Sequence, residues 1–147
     1  MIEIMKPLRV ALLFLAGVLC VTPGFTRAQS AASPEPKRPT LTLKATPSSG
    51  TVPMRVFLSV ELKGGDDDFE DYYCPTVEWT WGNGTVSATT EDCEPYERGK
   101  SQIRRRYSIE HLFKEPGAVR VLFRLKKKTK VVGSATTPLQ LMGIPSY

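Results

Sequence analysis

Ten consecutive residues, 77–86, constrain the fold more than any other stretch of the chain. They read Val-Glu-Trp-Thr-Trp-Gly-Asn-Gly-Thr-Val, with apolar and polar side chains alternating on both sides of Asn83-Gly84. Asn-Gly between two alternating runs is the strongest short-range signal for a β-hairpin, because a type I′ turn needs positive φ at both central residues. We therefore predict a hairpin with Asn83 and Gly84 at its tip.

A two-residue turn also fixes which residues of the two strands lie opposite each other. Opposed residues share a face of the sheet, so both tryptophans are expected on the same side of the hairpin. In this register the opposed pairs are Gly82 with Thr85, Trp81 with Val86, Trp79 with Ala88 and Val77 with Thr90.

The same register places Cys74 opposite Cys93, although the cysteines played no part in choosing it. Opposed Cα atoms in an antiparallel pair lie about 5.5 Å apart, which suits a disulfide. We predict a disulfide between these two residues. It closes a loop of about twenty residues and should stabilise the fold by about 3 kcal/mol.

Residues 1–28 have the pattern of a secretory signal peptide. Lys6 and Arg9 precede an apolar run over residues 10–19, and Ala28 offers a small residue for cleavage. A membrane anchor is the alternative, but the run is shorter than the roughly 20 residues that a span requires. A lipoprotein signal at Cys20 is disfavoured because Leu19 precedes it. We expect a secreted or periplasmic protein with no membrane span in the mature chain.

The rest of the 147-residue chain divides into a Pro-rich linker at 29–40, one domain at 41–142 and a short tail at 143–147. Removal of the leader lowers the formal charge from +5 to +3, because three basic residues and one acidic residue leave with it. This mild charge, export and the lack of a nucleic-acid-reading motif argue against a nucleic-acid partner for the basic runs 104–106 and 126–128.

Period-two alternation over residues 55–62, 103–113 and 118–125 predicts β-strands, and no stretch shows helical periodicity. About seven short strands with frequent turns predict an all-β, immunoglobulin-like antiparallel β-sandwich with one disulfide. We expect one sheet to hold the hairpin and the strands around Phe123 and Leu139. The other should hold the strands around Leu43, Leu58 and Ile109.

Several landmarks together resemble the polycystic kidney disease (PKD) domain family, which has an immunoglobulin-like fold. The family's Pro-x-x-Val start to the second strand is matched by 53–56, and its Trp-Asp-Phe-Gly-Asp-Gly segment by 79–84 with both Asp positions changed. Its His-x-Tyr before a Pro-Gly turn is matched by 111–113 and 116–117, with Phe in place of Tyr. The resemblance covers about residues 41–141. It implies an extracellular module that contacts protein or carbohydrate or acts as a spacer, and it does not imply catalysis. The changed Asp positions and the added cysteine pair indicate a divergent member, which we expect to be a stand-alone bacterial module because the sequence shows no hydrolase domain.

The loop at 63–73, which follows the predicted strand ending at Leu62, is densely acidic and is a candidate calcium site, since carboxylate oxygens are hard ligands. It lacks the spacing of an EF-hand, and a solvated acidic loop is the plainer interpretation. We predict no other cofactor. The candidate calcium ligands are Asp66, Asp68, Glu70 and Asp71.

In an immunoglobulin-like sandwich this acidic loop and the basic turn before the last strand share one end of the domain. We predict that they form a partly self-neutralised binding end near the disulfide, with rigid tyrosines as contact residues. The alternative is a surface ion-pair cluster of little energetic weight. The predicted contact residues are Tyr72, Tyr73, Tyr96, Lys126, Lys127 and Lys128.

An enzyme is the less favoured class. The single histidine, His111, lies on the same strand face as Ile109 and Phe113, as a buried imidazole would, and the chain has no Gly-x-Ser-x-Gly motif. Asn83-Gly84-Thr85 matches a glycosylation sequon, but turn chemistry explains it. The expected function is a non-enzymatic binding or adhesion module for an extracellular or periplasmic protein or polysaccharide. A spacer and a small enzyme or enzyme inhibitor are the alternatives.

Overall fold

The structure is a computed structural model that describes residues 34–145, so the predicted signal peptide lies outside the described residues. Across this range the chain forms eight β-strands and a short 3-10 helix, Glu70–Tyr72. The strands are β1 (Thr40–Thr46), β2 (Ser49–Thr51), β3 (Met54–Lys63), β4 (Thr76–Thr80), β5 (Val86–Thr90), β6 (Arg106–Phe113), β7 (Gly117–Lys127) and β8 (Lys130–Met142).

The strands form two sheets. The first has three antiparallel strands in the order β1-β3-β6. The second has the order β2-β8-β7-β4-β5, in which β2 runs parallel to β8 and the other pairs are antiparallel. This is the arrangement of an immunoglobulin-like sandwich whose hairpin-bearing sheet has an additional edge strand. The predicted fold class and the assignment of strands to sheets are confirmed.

The strand that the sequence did not predict is β2. Its three residues follow Pro47-Ser48, in a segment whose composition is typical of a turn. They pair with the C-terminal end of β8, where Ser49 lies opposite Gln140 and Thr51 opposite Met142. Three residues are too few to show an alternating pattern, so a pairing this short leaves no signal in the sequence.

Alternation along each strand explains which face is buried. In β3 the exposed side chains of Arg55 and Phe57 alternate with fully buried ones. β7 repeats the pattern in the opposite sheet. The side chains that these two strands bury between the sheets are Met54, Val56, Leu58, Val60, Leu62, Val121, Phe123 and Leu125.

Aromatic side chains fill the centre of the sandwich. Trp79 and Trp81 are both buried, with parallel rings whose centroids lie 5.9 Å apart. Trp79 also meets the Phe123 ring edge-on at 4.8 Å. The imidazole of His111, from the opposite sheet, stacks on Trp81 at 3.8 Å. Both indoles therefore lie in the interior, as the hairpin pattern predicts.

The hairpin forms as predicted, but its register differs from the prediction by one residue. Glu78 lies opposite Ala88, and Trp79 lies opposite Ser87. The two-residue turn predicts Trp79 opposite Ala88. Since Trp81 is two residues from Trp79, both side chains still share one face in either register.

The cause of the shift is a longer loop at the hairpin tip. The Trp81 N–H donates to the Thr85 carbonyl at 3.1 Å, which leaves three residues in the loop. Gly82 and Gly84 have φ of +81° and +85°, while Asn83 Oδ1 accepts hydrogen bonds from the backbone N–H and the hydroxyl of Thr85. The predicted two-residue type I′ turn is wrong, because the positive φ angles fall on the two glycines that flank Asn83.

The residues before β1 contact the sandwich, although the sequence predicted a linker up to Thr40. Pro39 is fully buried, and the Arg38 guanidinium donates to the Val132 carbonyl at 2.9 Å. The Lys37 N–H donates to Asp66 Oδ2 at 2.6 Å. The last residues of the predicted linker therefore pack on the domain.

Candidate functional site

The predicted disulfide is present at the end of the sandwich where the β3–β4 and β5–β6 loops meet. Cys74 precedes β4 and Cys93 follows β5, and their Cα atoms lie 6.2 Å apart. With the observed register, Cys74 would face Asp92 if the ladder continued. The bond forms because both cysteines lie beyond the paired residues, where the backbone leaves strand geometry and Cys74 has φ of +46°.

The acidic β3–β4 loop is fastened mainly to the β5–β6 segment. The Arg105 guanidinium donates to Asp67 Oδ1 at 2.6 Å and to the Gly64 carbonyl. The Gly99 N–H donates to Asp68 Oδ2 at 2.9 Å. Within residues 34–145, no ion pair joins this loop to residues 126–130. The predicted self-neutralisation of the two loops stays a prediction, which the salt dependence of melting in a charge-reversed 126–128 variant tests. The partner of the acidic loop is Arg105.

The predicted calcium ligands do not converge in the structure. Asp66 and Asp68 each accept a backbone N–H. Among the described residues, no three Asp, Glu, His or Cys side chains gather where they could hold a metal ion. Calcium binding by Asp66, Asp68, Glu70 and Asp71 stays a prediction, which titration calorimetry with calcium tests.

Tyr72 is a core residue and not a surface contact residue. Its side chain is 1% exposed, and its ring meets the Phe69 ring edge-on at 5.0 Å. It lies so close to Gly133 of β8 that a Cβ there would be 2.9 Å from the Tyr72 hydroxyl oxygen. Burial raises the pKa of Tyr72. The prediction that Tyr72 contacts a ligand is therefore wrong, because the small residue on β8 makes room for its ring inside the domain.

Tyr73 and Tyr96 do come together at the disulfide end, as predicted. Their ring centroids lie 5.7 Å apart. The Tyr73 hydroxyl donates to the Glu94 carbonyl at 2.9 Å, and the Tyr96 hydroxyl donates to the Asp68 carbonyl at 2.7 Å. Each tyrosine thus joins the two long loops and holds them in a fixed relation to each other.

The three predicted lysines have different surroundings. Lys126 Nζ donates to Glu78 Oε2 at 2.7 Å on the outer face of the larger sheet. The pKa of Glu78 is lowered, first by this hydrogen bond and second by the hydrogen bond from Arg124. Lys127 Nζ lies 5.8 Å from the centroid of the Tyr73 ring and donates to the Tyr73 carbonyl. Lys128 is exposed in the β7–β8 turn. Only Lys127 lies against the tyrosine pair.

A groove of about 450 Å³ lies beside Tyr73. Its residues come from Tyr73 and from the segment that follows Cys93. The sequence prediction missed most of them because 94–99 has the composition of an ordinary polar loop. The available signal was Cys93, since its bond to Cys74 brings the following residues beside Tyr73. The lining residues are Tyr73, Glu94, Pro95, Glu97, Lys100, Ser101 and Gln102.

The opposite end of the sandwich holds a second cavity, of about 580 Å³, lined in part by His111, Asn83 and Lys114. Burial lowers the pKa of His111. Its imidazole lies flat on Trp81, with their planes 9° apart. This confirms the prediction that His111 packs among core side chains.

The arginine run on the way into β6 is engaged in ion pairs. Arg104 pairs with Glu91, Arg105 with Asp67, and Arg106 with Glu61 at 3.3 Å. Each of the three arginines is therefore paired with a carboxylate, and the run does not form a continuous basic surface. No helix among the described residues is long and apolar enough to cross a membrane.

No protein-family model matches this chain, and no curated protein matches it. Among solved structures, the PKD domain of an M14-like peptidase from a Thermoplasmatales archaeon is similar at 12% identity and a TM-score of 0.48, over 72% of this chain and 97% of that one. The CARDB domain of a Pyrococcus furiosus protein, in complex with di-metal ions, is similar at 17% identity and a TM-score of 0.45, over 74% of this chain and 90% of that one.

The first of these structures comes from the family that the sequence motifs resemble. For this chain, strand order and register establish the immunoglobulin-like sandwich. It is a small module with a disulfide, a bond typical of proteins outside the cytoplasm.

Proposed function

We propose that this protein is a non-enzymatic binding module that acts outside the cytoplasm and contacts a protein partner through the groove beside Tyr73. The observation that carries the proposal is the way in which the groove is built. Two long loops are joined there by the Cys74–Cys93 disulfide and by the hydroxyls of Tyr73 and Tyr96.

Pre-organisation is what this construction contributes to binding. A surface loop that must become ordered when a partner binds loses affinity through its conformational entropy. Residues 97–101 form a tight turn here, because the Ser101 N–H donates to the Glu97 carbonyl at 2.9 Å and the Ser101 hydroxyl accepts from the Glu97 N–H at 2.8 Å. The groove is thus ordered before any partner arrives.

The aromatic geometry favours a protein over a carbohydrate. Stacking on a sugar requires an open ring face, but the Tyr73 ring has Tyr96 on one flank and Lys127 5.8 Å from its centroid. What remains accessible is a polar rim formed by Glu94, Glu97 and other residues of the segment after Cys93. A polar rim around a partly buried aromatic is typical of protein interfaces.

The competing functions have less support. In the part of the chain that the structure describes, His111 stacks between core aromatics and no cluster of three metal-ligating or acidic side chains surrounds it. A catalytic base needs the proton it abstracts within hydrogen-bond reach. A spacer role, the other alternative, does not require two loops to be fastened around a groove.

The test is affinity capture from periplasmic and culture extracts with charge-reversal variants. Glu94→Lys reverses a charge at the groove while it keeps the Glu94 carbonyl that Tyr73 binds. Glu115→Lys makes the same change in an exposed turn at the opposite end. We expect the wild type and Glu115→Lys to retain the same protein, and Glu94→Lys to bind it at least tenfold more weakly.

Three outcomes would contradict the proposal. Equal capture by both variants would place binding elsewhere on the module. Capture that survives protease treatment of the extract but is lost after periodate would identify a polysaccharide. Absence of any specific ligand in both the periplasmic and the culture extracts would favour a spacer.

A further inference from the structure

The edge strand β5 is unusual among the sheet edges of this domain. Its five residues, Val86–Thr90, read Val-Ser-Ala-Thr-Thr, and all five are exposed. The strand contains no charged residue, no proline and no glycine. An edge strand with none of these features is a template on which another strand can pair.

The other edges each carry a feature that opposes pairing. β1 has Lys44 facing out, and β6 has Arg106 and Glu110. β8 contains Pro138 and a register irregularity opposite Leu125, and its C-terminal end is covered by β2. Lysine, proline and bulges are the devices by which natural sheets protect their edges. The remaining edge strand, β2, is protected by its length of only three residues. In residues 34–145, β5 is the one edge strand of five or more residues that lacks all of these features.

The alternation of hydrogen-bonded pairs along the β4–β5 ladder shows which backbone groups β5 presents to solvent. The Trp81 N–H bonds to the Thr85 carbonyl, so this opposed pair is a hydrogen-bonded one. Hydrogen-bonded and non-hydrogen-bonded pairs alternate along an antiparallel ladder. The N–H and C=O groups of Val86, Ala88 and Thr90 therefore point away from β4, toward the open edge of the sheet.

We propose that β5 pairs with β5 of a second copy of this chain, antiparallel, about a two-fold axis through Ala88. In that register Ala88 opposes Ala88 of the second copy, and Val86 opposes Thr90 of the second copy. The outward groups form about six backbone hydrogen bonds. The two five-stranded sheets become one continuous ten-stranded sheet, which is a closed, isologous arrangement.

The side chains of β5 suit this occupant. Val86, whose side chain is 56% exposed, comes to lie beside Thr90 of the second copy, and β-branched cross-strand pairs of this kind are favourable. The first charged residue after the strand, Glu91, would oppose Thr85 of the second copy, so no like charges face each other. Ala88 lies on the two-fold axis, and its small side chain leaves room for Ala88 of the second copy.

Sedimentation velocity of the purified protein over a range of concentrations tests the proposal. We expect a monomer–dimer equilibrium in the wild type. Ala88→Lys sets two ammonium groups against each other at the axis and should raise the dimer dissociation constant at least tenfold. Ala118→Lys is the matched control, because Ala118 is an exposed alanine on the same face of the same sheet. It should dimerise within twofold of the wild type.

A second variant removes the edge without adding charge. Ala88→Pro deletes the outward N–H of residue 88 but no hydrogen bond of the β4–β5 ladder, so the domain should keep its melting behaviour and lose the dimer. A wild type that stays monomeric up to about 1 mM would overturn the proposal. So would dimers of Ala88→Lys and Ala88→Pro as tight as those of the wild type.

Discussion

Two tyrosine hydroxyls in this protein have opposite surroundings. The Tyr73 hydroxyl donates to the Glu94 carbonyl. The Tyr107 hydroxyl is buried and has no hydrogen-bond partner within residues 34–145, and burial raises the pKa of Tyr107 to about 12. An unsatisfied buried polar group costs free energy, whereas a satisfied one contributes modestly to stability.

Replacing each tyrosine by phenylalanine should therefore have different effects on stability. We expect Tyr107→Phe to leave the free energy of unfolding unchanged or to raise it by about 1 kcal/mol. Tyr73→Phe should lower it by about 1 kcal/mol, because the Glu94 carbonyl loses its donor. Urea denaturation at pH 7 measures both. A loss of more than about 1 kcal/mol in Tyr107→Phe would show that its hydroxyl has a partner.

His111 makes stability depend on pH. Burial lowers its pKa in the folded protein below the ordinary value of 6.5, so the unfolded chain takes up the proton at a higher pH than the folded one. The contribution of His111 to the free energy of unfolding is then fully present above pH 6.5, the ordinary pKa. It falls as the pH drops through that value, until the imidazole of the folded protein is protonated too.

The variant His111→Phe keeps an aromatic ring on Trp81 but cannot take up a proton. We expect the melting temperature of the wild type to fall more between pH 7 and pH 5 than that of His111→Phe. Thermal melts followed by circular dichroism measure the two slopes. Equal slopes would show that protonation of His111 is not coupled to folding.

At the scale of elements, the hairpin shows how far the sequence determines the structure. Alternation around Trp79 and Trp81 predicts two strands and their buried face, and both are observed. The register could not be fixed in this way, because Gly82-Asn83-Gly84 offers two placements for positive φ. The choice between them depends on close packing of Gly82 against β7, where a Cβ would lie 3.0 Å from the Arg120 carbonyl oxygen.

Replacing each glycine by alanine separates the cost of a positive φ from the cost of a steric contact with β7. Gly84→Ala meets nothing within 4 Å and should cost about 1 kcal/mol, for its positive φ alone. Gly82→Ala has the same strain and also contacts the β7 backbone, so we expect it to cost about 1–3 kcal/mol more. Chemical denaturation gives both values. Equal costs would mean that the loop does not pack on β7 as described.

The disulfide joins two loops and lies outside the strand ladder. Replacing both Cys74 and Cys93 by serine should lower the free energy of unfolding by about 3 kcal/mol, because the unfolded chain regains the entropy of the open loop. Hydrogen exchange should speed up over residues 93–102 more than over β3. Unchanged exchange in the groove segment would show that the disulfide does not order it.

At the scale of the whole molecule, the sequence predicted which loops meet better than it predicted the surroundings of single residues. Strand order and the Cys74–Cys93 pairing bring the β3–β4 and β5–β6 loops together at one end of the sandwich. They do not reveal that Tyr72 is buried, because its place depends on Gly133, which is distant in sequence and adjacent in the fold. Long-range packing of this kind leaves no local pattern, and the same holds for the Asp67–Arg105 ion pair.

The most direct test of the account is photo-crosslinking from a benzoyl-phenylalanine at position 102, in the groove, compared with one at position 114, at the opposite end of the sandwich. Both positions are exposed, so neither substitution should disturb the core. Incubation in native extract followed by illumination should give a single protein adduct from position 102 and none from position 114. An adduct from position 114 alone would contradict binding through the disulfide end.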